Sequence, residues 1–368
     1  MQLLQTLKHL FLPGIILQSV LIGGGYATGR EIVEYGAKFG AWGWLSGLAI
    51  FLGFSLISAL SIEACRKWQV YDYKSLLQKM IGRGWVMYEI TYLLMAILVI
   101  AVMAAAAGEI LSNTLGFNPW VGIVLIIVLV GFMNYKGDET IARFETIGSI
   151  ALFITYFVFA ISIFYAKGNL IAEVFERWDT TYLSDGVGTG LALWTGILYV
   201  GYNLGVYPAS MFTYKNIQTR KQSIIAGLIA GLLMTFPWFL TYFAIMAFYP
   251  DAQVLEAGVP WLQMLQNFHP AYVIAFSIVV GWTLIETATG MIHGFIGRID
   301  NELKQKGRPL KKMSKAYIAL AALLAALLLS QIGIIDLVAK GYGFMAYALI
   351  TVYALPILFF SFKIMSGK

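Results

Sequence analysis

The feature that most constrains this chain is its series of long apolar runs. Crossing about 30 Å of hydrocarbon takes roughly 20 apolar residues in a helix. About ten runs approach that length: 10–35, 42–64, 85–111, 119–133 and 144–165, then 188–214, 224–248, 271–296, 316–332 and 342–362. Only 12% of the 368 residues are charged, against about 25% in a typical soluble domain. A soluble enzyme, a disordered chain and a disulfide scaffold are therefore excluded. The expectation is an all-α polytopic membrane protein of ten transmembrane helices, forming one domain of two halves, 1–167 and 186–368. Segments 167–185 and 249–270 are too polar to cross, and the second reads as an interfacial hairpin with Pro250, Gly258 and Pro260.

The formal charge of +6 has an explanation in topology. With the N-terminus in the cytoplasm, 20 of the 25 lysines and arginines fall on the inner side. Arg30, Lys38, Lys167, Arg177 and Lys340 remain outside. This positive-inside bias puts both termini in the cytoplasm and the chain in the cell (inner) membrane. Nucleic acid is not needed to account for the charge. Cys65 is the one cysteine and cannot form an internal disulfide. The run 10–21 carries no small-residue cleavage site, so no signal peptide is read there.

Two of the expected helices are interrupted. The first reads GGGYATGREI over 23–32, with four glycines in seven residues. Glycine costs about 1 kcal/mol per position inside a helix. A small-residue packing face is one reading. The other is an unwound segment lining a cavity, where irregular backbone is tolerated at membrane depth. The sixth reads LYVGYNLGVYPAS over 198–210. There Gly201, Asn203, Gly205 and Pro208 indicate either a proline kink or a second break. The two interruptions occupy matching places in halves of opposite topology, and that pairing points to a transporter binding site.

Breaking a helix exposes N–H groups at one new end and C=O groups at the other. A helix one restarting around Ala27 would offer donors to a carboxylate. A helix six ending near Val200 would offer carbonyls to an ammonium or a cation. A zwitterionic amino acid fits both. Tyr26, Tyr199, Tyr202 and Tyr207 lie at or beside the breaks. Their rings either contact substrate, by hydroxyl or cation–π attraction, or pack the core. The candidate substrate site is Gly23, Gly24, Gly25, Tyr26, Ala27, Thr28, Tyr199, Tyr202 and Asn203.

The eighth helix carries Thr283, Glu286 and Thr287 at i, i+3, i+4, hence on one face. An intramembrane carboxylate is a functional candidate by default. Glu286 either holds a cation, carries a proton, or is bound structurally to a neighbour such as His293. Glu109, toward the outer end of helix three, reaches either the headgroups or a vestibule. His9, His269 and His293 have no ligand-like spacing, and no phosphate-binding loop is present. Neither an enzyme nor direct ATP drive is expected, and no cofactor beyond a coupling ion.

Two broken helices in a five-plus-five plan resemble the LeuT-type amino acid, polyamine and organocation transporters. The resemblance covers nearly the whole chain, without the eleventh and twelfth helices that many relatives carry. The run GGGYATGREI with Phe39-Gly40 also resembles the GxGFASGxEI…FG run of YkvI-like bacterial membrane proteins. The resemblance implies cation-coupled symport of a small amino acid or amine across the cell membrane. It implies a sodium site at Thr283, Glu286 and Thr287, where relatives usually have a hydroxyl in place of Glu286. It also implies an outer-gate role for Arg30, although helix ten shows no acidic partner. No lysine in 144–165 replaces sodium, as happens in some proton-coupled relatives. A membrane-embedded amino-acid sensor on the same scaffold needs the same pocket.

Overall fold

A computed structural model describes residues 2–136, 138–183, 188–361 and 363. The described residues form helices and connections, with no strand among them. Among the described residues seven helical stretches are long and apolar enough to span a membrane, and Leu7–Leu21 and Pro119–Asn134 are shorter apolar helices.

The chain begins with α1 (Gln2–Leu21), followed by the short α2 (Gly24–Thr28) and α3 (Arg30–Tyr35). Next come α4 (Gly43–Trp68), α5 (Tyr73–Ile81), α6 (Trp85–Leu115), α7 (Pro119–Lys136) and α8 (Asp138–Glu176). The second set is α9 (Thr189–Asn203), α10 (Arg220–Met246), the short α11 (Ala252–Leu255) and α12 (Pro260–Leu265), α13 (Pro270–Gln305) and α14 (Lys312–Leu329). The C-terminal helix spans Ile334–Phe359. It contains two π-helical stretches, Leu337–Tyr342 and Ile350–Ala354.

Several helices depart from the sequence expectation. α8 continues past residue 165 to Glu176, bending at Lys167, so part of the expected loop is helix. α13 continues past 296 to Gln305, and the C-terminal helix starts before 342.

The packing is repeated by the two halves. α1 packs on α10 as α9 packs on α4, and α4 and α10 pack on each other. α6 meets α13, while α8 lies on α13 as the C-terminal helix lies on α6. α7 touches α13 as α14 touches α6. These contacts interchange when α1–α3, α4, α6, α7 and α8 are swapped in order for α9, α10, α13, α14 and the C-terminal helix. Small residues allow the closest approaches. A Cβ at Gly14 would fall 2.8 Å from the Ala230 Cα, and one at Gly227 would fall 2.5 Å from the Ala59 nitrogen. In lipid, such packing replaces the hydrophobic drive that holds soluble helices together.

Basic loops gather at one end of the bundle. Lys74 Nζ meets Glu302 Oε1 at 2.5 Å, and Arg66 is held by Glu63 through two contacts of 2.7 Å. Asp300, buried there, accepts from Lys304, Lys315 and the Leu310 amide. At the other end, the Tyr182 amide donates to Tyr249 Oη at 3.0 Å. Burial pushes the Tyr249 phenol up to about 12, which keeps it a neutral acceptor.

Candidate substrate cavity

Where helix one crosses the middle of the bundle, it is interrupted twice. Ile22 and Gly23 leave the helical path, with Gly23 extended at φ −90°, ψ −171°. Gly29 then adopts φ +83°, a region costly for any residue with a Cβ. A Cβ there would also fall 2.9 Å from the Trp261 ring. The helix restarts at Gly24, three residues earlier than the expected Ala27, because the Ala27 amide already donates to the Gly23 carbonyl at 3.0 Å.

Helix six departs from the expectation in the opposite direction. It stays α-helical through Asn203 and does not end near Val200. The Asn203 side chain donates to the Tyr199 carbonyl at 2.8 Å, which supports the last turn. The chain then tightens into 3-10 turns over Leu204–Ala209 and Met211–Asn216. In this 3-10 register Pro208, which has no N–H, leaves the Gly205 carbonyl three residues earlier without its turn donor. Tyr88 of α6 donates its hydroxyl to the neighbouring Leu204 carbonyl at 3.0 Å, at the point where α-helix gives way to 3-10 turns.

Phenols donate to backbone carbonyls at three other irregular points. Tyr156 of α8 donates its hydroxyl to the Ala27 carbonyl at the end of α2. Tyr35 donates to Val338 in the first π-helical stretch at 3.2 Å, and Tyr242 donates to Gly40 at 2.7 Å. Buried carbonyls at membrane depth have no water to turn to, and these phenols take its place.

A cavity of about 400 Å³ opens at the junction of the two interrupted helices. Gly23, Tyr26, Tyr202 and Asn203 line it, and it extends along α13 to Arg298 and Asn301 at the end with the basic loops. Arg298 is held at that mouth by Glu89 at 3.0 Å and lies 3.4 Å from the Tyr92 ring centroid. Other expected site residues lie elsewhere. Tyr199 is buried outside the lining, with ring centroids of Tyr35, Tyr202 and Phe54 at 5.8, 5.3 and 6.2 Å. Tyr207 shares a hydrogen bond with Ser58 at 3.0 Å. Ala27 and Thr28 are buried in the short helix, outside the lining. Gly24 and Gly25 belong to α2, and their surroundings lie outside the described residues.

On α13, Thr287 lines the cavity and abuts the first break. A Cβ at Gly23 would fall 3.1 Å from both Thr287 Oγ1 and Cγ2. Glu286 is not part of the lining and turns its carboxylate toward Gly148 of α8. Thr283 is buried, its hydroxyl donating to Val279 at 3.0 Å.

The far end of the cavity is covered by the 249–270 segment. Arg30 donates to the Leu255 and Ala257 carbonyls at 2.7 and 3.1 Å. Its acidic neighbour is Glu34, one turn on, at 3.4 Å, so no partner from helix ten is required. Glu109 accepts the Val259 amide at 3.2 Å, which places it in this closure and not among headgroups. Trp261 covers Gly29 and meets Tyr156 edge-on at 5.0 Å.

Sequence reasoning passed over Glu31. It is 6% exposed and lines the cavity, and Tyr202 donates to its Oε2 at 2.5 Å. The signal was present, since a carboxylate within an apolar run is itself a functional indication.

No family model matches the chain. The membrane protein YkvI of Bacillus subtilis (strain 168), described as uncharacterized, is 22% identical over 332 residues, 89% of each chain. Among solved structures, MhsT in complex with L-phenylalanine has a TM-score of 0.62 at 15% identity, over 96% of this chain and 88% of that one. A manganese transporter of Eremococcus coleocola has a TM-score of 0.61 at 13% identity, over 98% and 81%. A Na+-coupled sialic acid symporter has a TM-score of 0.54 at 14% identity, over 98% and 85%. At these identities the likeness concerns the fold, and this chain has the LeuT-type transporter fold.

Proposed function

We propose that this protein is a secondary active transporter that moves a small amino acid or amine across the cell membrane by cation-coupled symport. The observation that carries this reading is a cavity at the meeting point of two interrupted helices, closed at one end and open toward the other. Alternating access needs such a site. In this reading ten helices cross the membrane in two inverted halves, 1–167 and 186–368. The basic end faces the cytoplasm with both termini, following the positive-inside rule. The substrate rests on Gly23, Tyr26, Tyr202 and Asn203, with Arg30 in the outer closure. Two of the structural neighbours, MhsT and the sialic acid symporter, support an organic substrate, and the second supports sodium as coupling ion.

Thr283, Glu286 and Thr287 form the coupling site, for sodium or a proton. Thr287 beside Gly23 supports a link between this helix and the first break. The test is uptake into proteoliposomes under imposed sodium or proton gradients. Wild-type protein accumulates substrate against one of them, and Glu286→Gln retains binding but loses the gradient dependence. Unchanged gradient-driven uptake in Glu286→Gln removes Glu286 from coupling. Absence of uptake under both gradients overturns the transport reading.

A further inference from the structure

The cavity holds a buried carboxylate at its closed end, away from the basic loops. Glu31 lies on α3, just past Gly29, with its carboxylate at the junction of the two interrupted helices. Among the described residues its hydrogen-bond partner is a neutral phenol, Tyr202. The adjacent Arg30 turns away to the Leu255 and Ala257 carbonyls and to Glu34. The cavity's other strong charge, Arg298, is at the opposite end and already neutralised by Glu89. A bare carboxylate charge at membrane depth is costly and calls for a cation or a proton, and the cavity lies directly beside this one.

The surroundings of Glu31 suit an organic cation better than a metal ion. Tyr26, Tyr202 and Tyr342 line the same space, and the Tyr202 and Tyr342 rings pack at 4.8 Å. Phenol faces attract ammonium groups. Met95 and Val99 add an apolar wall suited to a carbon skeleton. A divalent cation needs several hard or imidazole ligands, and among the described residues no three His, Cys, Asp or Glu side chains gather. A zwitterion would bring a carboxylate of its own, and Arg298 is committed elsewhere.

We infer that the ligand of this cavity is a small organic cation whose ammonium group is neutralised by Glu31 within the Tyr26–Tyr202–Tyr342 wall. This rests on the transporter reading for its purpose and narrows the substrate class, but the binding step can be tested alone. Purified full-length protein is titrated with choline and with 1,4-diaminobutane, following the thermal unfolding midpoint. The neutral isosteres 3,3-dimethyl-1-butanol and 1,4-butanediol, L-leucine and sodium chloride serve as comparisons.

At least one amine is expected to raise the midpoint while its isostere does not. Glu31→Gln is expected to weaken that binding tenfold or more, and Glu31→Asp, which keeps the charge, to weaken it less. Equal binding of amine and isostere overturns the inference. So does stabilisation by L-leucine alone, a Glu31-dependent shift with sodium chloride alone, or no shift with either amine. Should Glu31→Gln not fold, the amine–isostere comparison in the wild type and Glu31→Asp still decide. Uptake assays separate the two readings. Glu31-dependent amine binding without accumulation under either gradient overturns transport and leaves the charge assignment standing. Gradient-driven uptake of an uncharged solute that ignores Glu31→Gln does the reverse.

Discussion

Replacing Arg30 by alanine is expected to loosen the closed end of the cavity. Arg30 is 4% exposed, and its guanidinium donates to two backbone carbonyls of the covering segment, at 2.7 and 3.1 Å. A hydrogen bond to a charged group contributes about 1.5–3 kcal/mol. Two such bonds set an upper limit of about 3–6 kcal/mol by the same figure. Opening would admit water to both carbonyls, so we take about half of that, about 1.5–3 kcal/mol. At 1.4 kcal/mol per decade this moves the closed-to-open ratio by about tenfold to a hundredfold. The chain offers a clean assay, because Cys65 is its one cysteine and is fully buried. A reporter thiol is introduced as Ala96→Cys, in the cavity wall. In intact cells a membrane-impermeant thiol reagent reaches this position from outside only. Its labelling rate should rise about tenfold or more when Arg30→Ala is added, and Arg30→Lys should fall between. Equal rates with and without Arg30→Ala would refute the view that these two bonds hold the closure.

Three further outcomes are expected. Gly23→Ala should lower the unfolding midpoint, since its Cβ would press on Thr287 at 3.1 Å and overpacking costs about 1–3 kcal/mol. Adding Thr287→Ala should restore most of that loss, and a purely additive double variant refutes the contact. Tyr156→Phe should destabilise by about 1–3 kcal/mol through the unsatisfied Ala27 carbonyl, whereas the exposed Tyr165→Phe should not shift the midpoint. Tyr88→Phe should lower the midpoint by less than Tyr156→Phe, because the 3-10 turn already gives the Leu204 carbonyl a donor, and an unchanged midpoint for Tyr156→Phe in differential scanning calorimetry would count against the capping role.

Much of the architecture was legible in the sequence because its signals are local. Apolar length marks the helices, and glycine density marks the first break. What was not legible depends on neighbours distant in sequence. The restart at Gly24 runs against glycine's low helix propensity. At the sixth helix, Asn203 and Gly201 suggested an early end. Yet Asn203 serves its own helix, while Gly201 accommodates the C-terminal helix, whose Ile350 side chain would fall 2.7 Å from a Cβ there. The proline was the more accurate marker, because α-helix gives way to 3-10 turns in the stretch that contains it. Arg30's partners are carbonyls on the covering segment, and backbone acceptors leave no trace in a list of acidic side chains. The π-helical stretches of the C-terminal helix had no sequence signal that we could identify.

The phenol-capped Ala27 carbonyl makes the first break a property of the assembled bundle. A regular helix carries all of its hydrogen bonds internally and can enter lipid on its own. The first interrupted helix cannot do so in the shape it has here, because the donor to Ala27 belongs to α8. Before α8 has docked, the 22–29 segment must either close its ladder into continuous helix or remain near water. The sixth helix differs, because its 3-10 turns keep hydrogen bonds of their own and Tyr88 of α6 adds a further donor at Leu204. The irregular shape of the first break therefore depends on a docked neighbour, and grafting the glycine-rich stretch alone would not carry it to another protein.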